Sequence, residues 1–465
     1  MKLLSTLVAL WVLASTCEAS RPNILYFLID DMGYADCGFN GGKEIRTPHL
    51  DRLARAGTVL TSLYGQPVCS PTRSALLTGR YPTHTGVYTI VRPGAPWGLP
   101  LNERLLPQAL RDVGYTTAIC GKWHLGEFEK AYQPTQRGFD HQYGHFFGAI
   151  DYFTHERDRK PDWYRNDQPL QEEGYSTHLV AQEACRLIQA QPADKPLFLY
   201  VAFNGVHAPY QVPDTYLQPY QSLPPARRTL AGMLAAVDEA VGQITATLEA
   251  KGLDKNTLII VSSDNGGVSP NRVTSNAPLR AGKGTIYEGG VRLAAFATWP
   301  GQIPSGAKVD QPLHIVDWYP TLLRLAGAST TQTLPPDGRD LWPVLTQGAN
   351  SPHDALLLCG TRGTESAAIR LGDWKLLVNP SDRDAEDAKG EAKSRAGEKR
   401  VELYNLANDI AEQHDLAATQ PERVKAMRAR LEAMLDHAVP SGADRAKSAP
   451  PLPGEISGPG RQSAR

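Results

Sequence analysis

Two acidic pairs lie far apart in the chain, Asp30-Asp31 and Asp264-Asn265. Each follows directly on a short apolar run, NILYFLI (23–29) and TLIIVSS (257–263). Three carboxylates and one amide, with no thiolate or paired imidazole among them, form an oxygen donor set. Such a set favours a hard cation, Ca²⁺ or Mg²⁺, over zinc. The spacing is unlike an EF-hand, so the fold itself must bring these donors together. Five basic residues form a second group: Arg73, Lys122, His124, His207 and Lys283. Beside a bound cation they repel one another unless an anion joins them. A phosphate or sulfate ester meets that need, with the metal polarising an ester oxygen. Arg73 brings a fork of donors and the lysines bring point charges. Each feature taken alone reads equally well as a turn, a helix cap or a surface ion pair.

Cys69 stands in GQPVCSPTRSALLTGR, at the start of an apparent helix. Free backbone N–H groups at a helix start suit an anion, and nearby cations favour a thiolate. Sulfur on a hard cation is nevertheless a poor match, and a thiol-based ester hydrolase has no need of the metal. Lys283, in AGKGTIYEGG, lacks the GxxxxGK[ST] spacing of a nucleotide phosphate loop. Residue chemistry thus reaches an ester hydrolase whose nucleophile is unresolved.

Positioning these residues requires strands. YTTAIC (115–120) and LFLYVAF (197–203) join the two apolar runs above as buried parallel strands. Helix-like segments alternate with them: SALLTGR, LPQALRDVG, STHLVAQEACRLIQA and AGMLAAVDEAVGQITATLEAKG. The alternation predicts an α/β catalytic domain over residues 20–350. Lys122 and His124 then follow one strand, Asn204 and His207 another, and the acidic pairs the remaining two. Ligands of open α/β sheets bind beyond the carboxyl ends of strands. Residues 351–439 predict a smaller α+β subdomain, with AAIRLGDWKLLV and KRVELYNL as antiparallel strands and PERVKAMRARLEAMLDHA as an amphipathic helix. The stretch 440–465, rich in Pro, Gly, Ser and Ala, reads as a poorly ordered tail.

The chain has 465 residues, with 48 basic against 49 acidic ones. This balance gives no case for nucleic-acid binding or for a solvating acidic chain. Residues 1–19, MKLLSTLVALWVLASTCEA, read as a secretory signal, and no later run is long enough to span a bilayer. Five cysteines remain after it: Cys37, Cys69, Cys120, Cys185 and Cys359. They are too few and too scattered for a disulfide scaffold. No permitted Asn-x-Ser/Thr sequon occurs. Together these features read as an exported bacterial protein, periplasmic or secreted.

CSPTR matches the C-x-P-x-R signature of type I sulfatases, and the chain closely resembles that family. TPHLDRLA, GYTTAICGKWHLG, PTQRGFDHQYG, NGVHAPY, SSDNGG and PLRAGKGTIYEGGVR continue the resemblance in order, and GDWKLL and ELYNLANDIAEQHDL extend it to the end. It implies the alkaline-phosphatase-like sulfatase fold, with a large mixed, mainly parallel sheet between helices and a small C-terminal subdomain. It also implies that Cys69 is converted to formylglycine by a formylglycine-generating or anaerobic sulfatase-maturing enzyme. In the implied mechanism the hydrated aldehyde attacks sulfur, the alcohol leaves, and sulfate is expelled from a covalent intermediate as the aldehyde re-forms. The calcium ligands implied are Asp30, Asp31, Asp264 and Asn265 with modified Cys69. Arg73 and Lys122 would stabilise the hydrate and its sulfated form, and His124 would take the second hydroxyl's proton. Lys122, Lys283 and His207 would bind the sulfate, with His207 as general acid.

Within the family, IRTPHLD, DYFTHERD and VHAPYQVPDTYLQPY are most similar to arylsulfatase B, the N-acetylgalactosamine-4-sulfatase. That resemblance implies sulfated glycans as substrates, favouring the 4-sulfate of galactose or N-acetylgalactosamine in glycosaminoglycan or carrageenan. His155, Arg157 and Arg159 are the candidate sugar contacts, within an aromatic region running from His141 to Tyr175. Packing of those aromatics over the sheet edge is the equal alternative. Another carbohydrate or aryl sulfatase, a phosphonate or phosphate monoester hydrolase, and a noncatalytic sulfated-glycan-binding protein are the competing functions.

Overall fold

The computed structural model describes residues 21–268, 273–381 and 400–448. The expected signal, residues 1–19, and residues 449–465 of the expected tail lie outside the described residues.

Ten strands form the main sheet. In chain order they are β1 (Asn23–Ile29), β2 (Thr58–Leu60), β3 (Thr116–Lys122), β4 (His141–His145), β5 (Tyr164–Arg165), β6 (Gln168–Pro169), β7 (Leu197–Phe203), β8 (Thr257–Ser263), β9 (Ala295–Thr298) and β10 (Ala307–Val309). Their spatial order is β10-β2-β9-β8-β1-β7-β3-β4-β5-β6. The central run β8-β1-β7-β3-β4 is parallel throughout. β9 and β5 turn antiparallel at its two flanks. Every residue of β1, β7 and β8 is buried. Their continuous apolar text is the consequence of having helices on both faces.

Those helices divide cleanly between the faces. On one face, α1 (Cys69–Thr78) and α4 (Trp318–Ala326) pack against Ile24, Tyr26 and Leu28 of β1. On the other, α2 (Ser176–Ala190) and α3 (Pro225–Lys251) pack against Leu25, Phe27 and Ile29. α3 ends at Gly252, whose φ of 74° is the left-handed stop that glycine adopts without strain. α3 begins six residues before its apolar text does, because Pro225 suits a first helical turn.

A separate four-stranded antiparallel sheet follows: β11 (Leu356–Gly360), β12 (Gly363–Leu371), β13 (Trp374–Val378) and β14 (Val401–Asn405). Met427 and Leu431 of α5 (Pro421–Leu435) are buried with it. A short helix, α6 (Gly442–Ser448), lies inside the stretch expected to be tail. Its start is tied to the catalytic domain, where Gly442 N–H donates to the Gly86 carbonyl at 2.9 Å. The described part of that stretch is therefore ordered, contrary to its composition. Among the described residues no helix is long and apolar enough to cross a membrane.

Candidate active site

Four neighbouring strands of the sheet, β8, β1, β7 and β3, end together and carry the predicted polar residues to one place. Asp30 and Asp31 follow β1, Asp264 and Asn265 follow β8, and His207 lies just past β7. Lys122 closes β3, and its entry depends on Gly121. That glycine has φ 111°, and a Cβ there would stand 1.9 Å from the Ala202 carbonyl oxygen. No other residue turns the chain there without displacing β7. His124 itself adopts a positive φ of 60°, a conformation that costs a non-glycine residue energy and recurs at functional sites. From the opposite side α1 presents Cys69 at its first position and Arg73 one turn on.

The charges interlock. Arg73 Nη2 lies 3.0 Å from both Asp30 Oδ2 and Asp264 Oδ2. Lys122 Nζ also pairs with Asp30 Oδ2. Lys283 Nζ lies 2.9 Å from Asp31 Oδ2, and His207 Nε2 lies 3.7 Å from the same oxygen. Cys69 Sγ approaches Asp30 Oδ1 at 3.5 Å. Burial would raise the Asp30 carboxyl, but Lys122, His207, Arg73 and Lys283 together outweigh it and hold it well below the usual carboxylate range. Asp31 and Asp264 go the other way. Burial and the neighbouring Asp30 raise both, only partly offset by Lys283 at Asp31 and by Arg73 and Lys122 at Asp264. Burial, then Asp264 and Asp30, push the Cys69 thiol well up. An unmodified thiolate nucleophile is therefore disfavoured here. Burial and the cations Lys122 and Arg73 keep His124 a neutral imidazole.

One oxygen tests whether a cation fits. Asn265 Oδ1 is buried and has no hydrogen-bond partner among the described residues. A buried polar atom without a partner costs roughly 1–3 kcal/mol, and a cation removes that cost. Donor atoms of Asp30, Asp31, Cys69 and His207 lie within 4.8 Å of one another. Asp264 joins them through the Asp31 N–H, which donates to Asp264 Oδ1 at 3.2 Å. The oxygen-rich set fits a hard divalent cation. Charge counting agrees with it. Asp30, Asp31 and Asp264 balance Arg73, Lys122 and Lys283, so a divalent cation leaves a positive surplus that attracts an anionic ester.

Cys69, His124, His207 and Lys283 open into a cavity of about 490 Å³. This is within the roughly 300–1,000 Å³ of pockets that enclose a small molecule, so a ring has room beyond the ester. Arg157 lines the cavity, as does Arg92, which sequence reasoning missed. Nothing in the text VRPG marks Arg92 as a site residue. The other two expected sugar contacts are not among the residues that line this cavity. His155 is buried, its Nε2 is 3.1 Å from the Gly174 carbonyl oxygen, and its ring stacks on Trp163 at 4.5 Å. Arg159 is exposed and lies outside the cavity lining. The aromatic region packs on itself: Tyr143 lies against Trp163 at 5.1 Å, and Phe146 against Tyr164 at 4.4 Å. His145, part of the same aromatic region, is buried, and its Nε2 has no partner among the described residues.

Fold and site together define a hydrolase for anionic esters. The family model described as Sulfatase matches residues 22–328, and the chain belongs to the sulfatase family, whose activity is sulfuric ester hydrolysis. Arylsulfatase J of Mus musculus is 38% identical over 92% of this chain and 78% of the relative. N-acetylgalactosamine-6-sulfatase of Mus musculus is 36% identical over 80% of this chain and 75% of the relative. The crystal structure of Ps i-CgsB in complex with k-i-k-neocarrahexaose superposes with a TM-score of 0.81 at 32% identity, covering 90% of this chain and 94% of that one. These relatives carry the family and do not single out arylsulfatase B.

Proposed function

We propose that this protein hydrolyses sulfate esters on glycans, favouring the 4-sulfate of a galacto-configured sugar. The observation that carries the ester chemistry is the interlocked set of three carboxylates and three cations beneath a cavity with room for a sugar ring. A relative bound to neocarrahexaose supports the glycan class. The 4-position rests on the local likeness to arylsulfatase B, and an N-acetylgalactosamine-6-sulfatase among the relatives makes 6-sulfate the rival position.

Asp30, Asp31, Asp264 and Asn265, with residue 69, would hold Ca²⁺, which supplies positive charge against the ester oxygens. Conversion of Cys69 to formylglycine by a maturing enzyme would supply an oxygen nucleophile where the thiol is disfavoured. The remaining steps belong to the side chains. Arg73 and Lys122 hold charge in place from below. Lys283 and His207 meet the sulfate from the side of the leaving alcohol. His207 Nδ1 is 2.5 Å from the Ala208 carbonyl oxygen, which places a proton on Nδ1 and aims Nε2 into the site. As the doubly protonated imidazolium, His207 gives its Nε2 proton to the leaving oxygen and returns to the neutral ring that keeps the Nδ1 proton. His124, kept neutral, accepts one. Arg157 contacts the sugar at the cavity wall. The protein is exported, to a bacterial periplasm or medium.

The test combines peptide mass spectrometry across Cys69 in native-host protein with sulfate release from defined 4- and 6-sulfated galacto-oligosaccharides. A matched phosphate ester serves as control. Formylglycine with 4-sulfate release supports the whole reading. Release of 6-sulfate alone discards the sugar position. Unmodified cysteine without turnover overturns the enzymatic mechanism.

A further inference from the structure

Asn204 has two buried side-chain atoms, Nδ2 and Oδ1, and neither has a hydrogen-bond partner among the described residues. The residue is only 6% exposed. An amide so placed is rare, because both atoms lose water and gain nothing. The ladder fixes where it stands. Ile29 of β1 pairs with Phe203 of β7, so Asn204 is beside Asp30 on the neighbouring strand. Phe198, Tyr200 and Ala202 face the α1 side of the sheet, as do Ile24, Tyr26 and Leu28. Continuing that alternation puts Asn204 and Asp30 on the α1 face, toward the end where Asp30 meets Cys69 and Arg73. The Asn204 backbone is pinned there, its carbonyl accepting Tyr152 O–H at 2.8 Å and the His207 N–H at 3.0 Å. His124 Nδ1 and Asn265 Oδ1 are also buried and unpaired among the described residues. Three residues that follow neighbouring strands of the site thus carry orphaned polar atoms.

We propose that Asn204 is a positioning residue of the site, whose amide pairs with an oxygen-bearing group at the Cys69 end. The inference rests on the sulfatase reading and deepens it. Thiol sulfur is a weak hydrogen-bond partner, so Cys69 leaves the amide unpaired. The shared chemistry is an oxygen acceptor or hydroxyl. It arrives either with a sulfate group or as the oxygen that maturation places on residue 69.

The test uses full-length protein with unmodified Cys69, with matured wild type assayed for sulfate release beside it. In the first arm, inorganic sulfate binding is measured by calorimetry for wild type and Asn204→Ala. About a tenfold loss of affinity in the variant identifies sulfate as the partner. In the second arm, Cys69→Ser, which adds an oxygen, is made with and without Asn204→Ala. A rise in melting temperature that requires Asn204 identifies the residue 69 oxygen as the partner. Asn204→Leu, close in volume, replaces Asn204→Ala if the latter fails to fold. The proposal is overturned if sulfate affinity is unchanged and the serine effect is independent of Asn204. It is equally overturned if Asn204→Leu, which leaves no cavity, lowers the melting temperature by several degrees, as removal of a structurally satisfied amide does. Sulfate release by matured wild type separates these failures from failure of the sulfatase reading.

Discussion

Asn265 donates through Nδ2 to Asp31 Oδ1 at 2.7 Å while its Oδ1 stays unpaired among the described residues. The residue both orders the carboxylate cluster and offers a ligand atom. Asn265→Ala should therefore weaken Ca²⁺ binding by about 10–100-fold, the usual loss when a group ordering a metal site is removed. Chelator-titrated melting curves of wild type and variant check this. Identical calcium dependence in the two would remove Asn265 from the site. Most of the residue-level chemistry was legible in the text, because hard oxygen donors and cations stood directly after apolar runs. Asp30, Asp31, Asp264 and Asn265 lie where that reasoning puts them, as do Arg73, Lys122, His124, His207 and Lys283. His155 and Arg159 stand outside the cavity lining for a physical reason. Proximity in sequence to a site does not say which side chains face it, and in this irregular stretch no periodicity supplies the answer. Asn204 was visible as a strand-end residue, but its unpaired amide shows only in three dimensions.

Elements set how tightly those residues are held. A Cβ on Gly148 would stand 2.5 Å from both Cε1 and Nε2 of His124, so the loop after β4 packs flush against that ring. Gly148→Ala must displace the imidazole. It should lower kcat by roughly 10–100-fold, the scale of a 1 Å misplacement, with little change in melting temperature. Steady-state kinetics beside a melting curve distinguish this from unfolding. The two-stranded hairpin Glu156–Arg157 and Lys160–Pro161 makes a second, separable prediction. Arg157→Ala should raise KM for a sulfated oligosaccharide several-fold more than for a small aryl sulfate, whereas Arg159→Ala should leave both unchanged. Equal effects of Arg157→Ala on the two substrates would contradict a sugar contact. The long buried strands were legible because each is a continuous apolar run. The two-residue strands β5 and β6 were not, since so short a segment carries no period. Their pairing comes from the sheet edge they join.

At the scale of the whole molecule, the C-terminal subdomain braces the loop that carries Lys283. Arg280, before that lysine, donates through Nη1 to the Tyr404 hydroxyl and the Glu412 carbonyl, both at 2.9 Å. Glu288, after it, is fully buried and meets Lys375 Nζ at 2.9 Å, Arg292 Nη1 at 3.1 Å and the Tyr64 hydroxyl at 2.7 Å. Lys375 also lies 2.9 Å from Glu412 Oε1. Removing one partner from a buried ion cluster leaves uncompensated charge, at about 3–5 kcal/mol. Lys375→Met should therefore destabilise the protein by that order and reduce turnover by loosening Lys283. The dependence on pH follows from the two carboxyls. Burial would raise Glu288, but Lys375, Arg292 and Arg370 outweigh it and hold it down to about 2. Its stabilising contribution is present above the unfolded value and fades as pH falls toward 2. Burial, reinforced by Glu288 and opposed by Lys375, pushes Glu412 up to about 7. Its contribution is greatest below the unfolded value of 4.5 and is lost as pH rises through 7. Without Lys375 both carboxyls shift upward, so protons replace the missing cation in mild acid but not in mild base. The stability gap between wild type and Lys375→Met should thus be smaller at about pH 5 than at about pH 8. Melting curves at the two pH values measure it. A gap that is equal at both, or that widens in acid, would mean the subdomain is held to the catalytic domain by its apolar contacts rather than by this buried charge cluster.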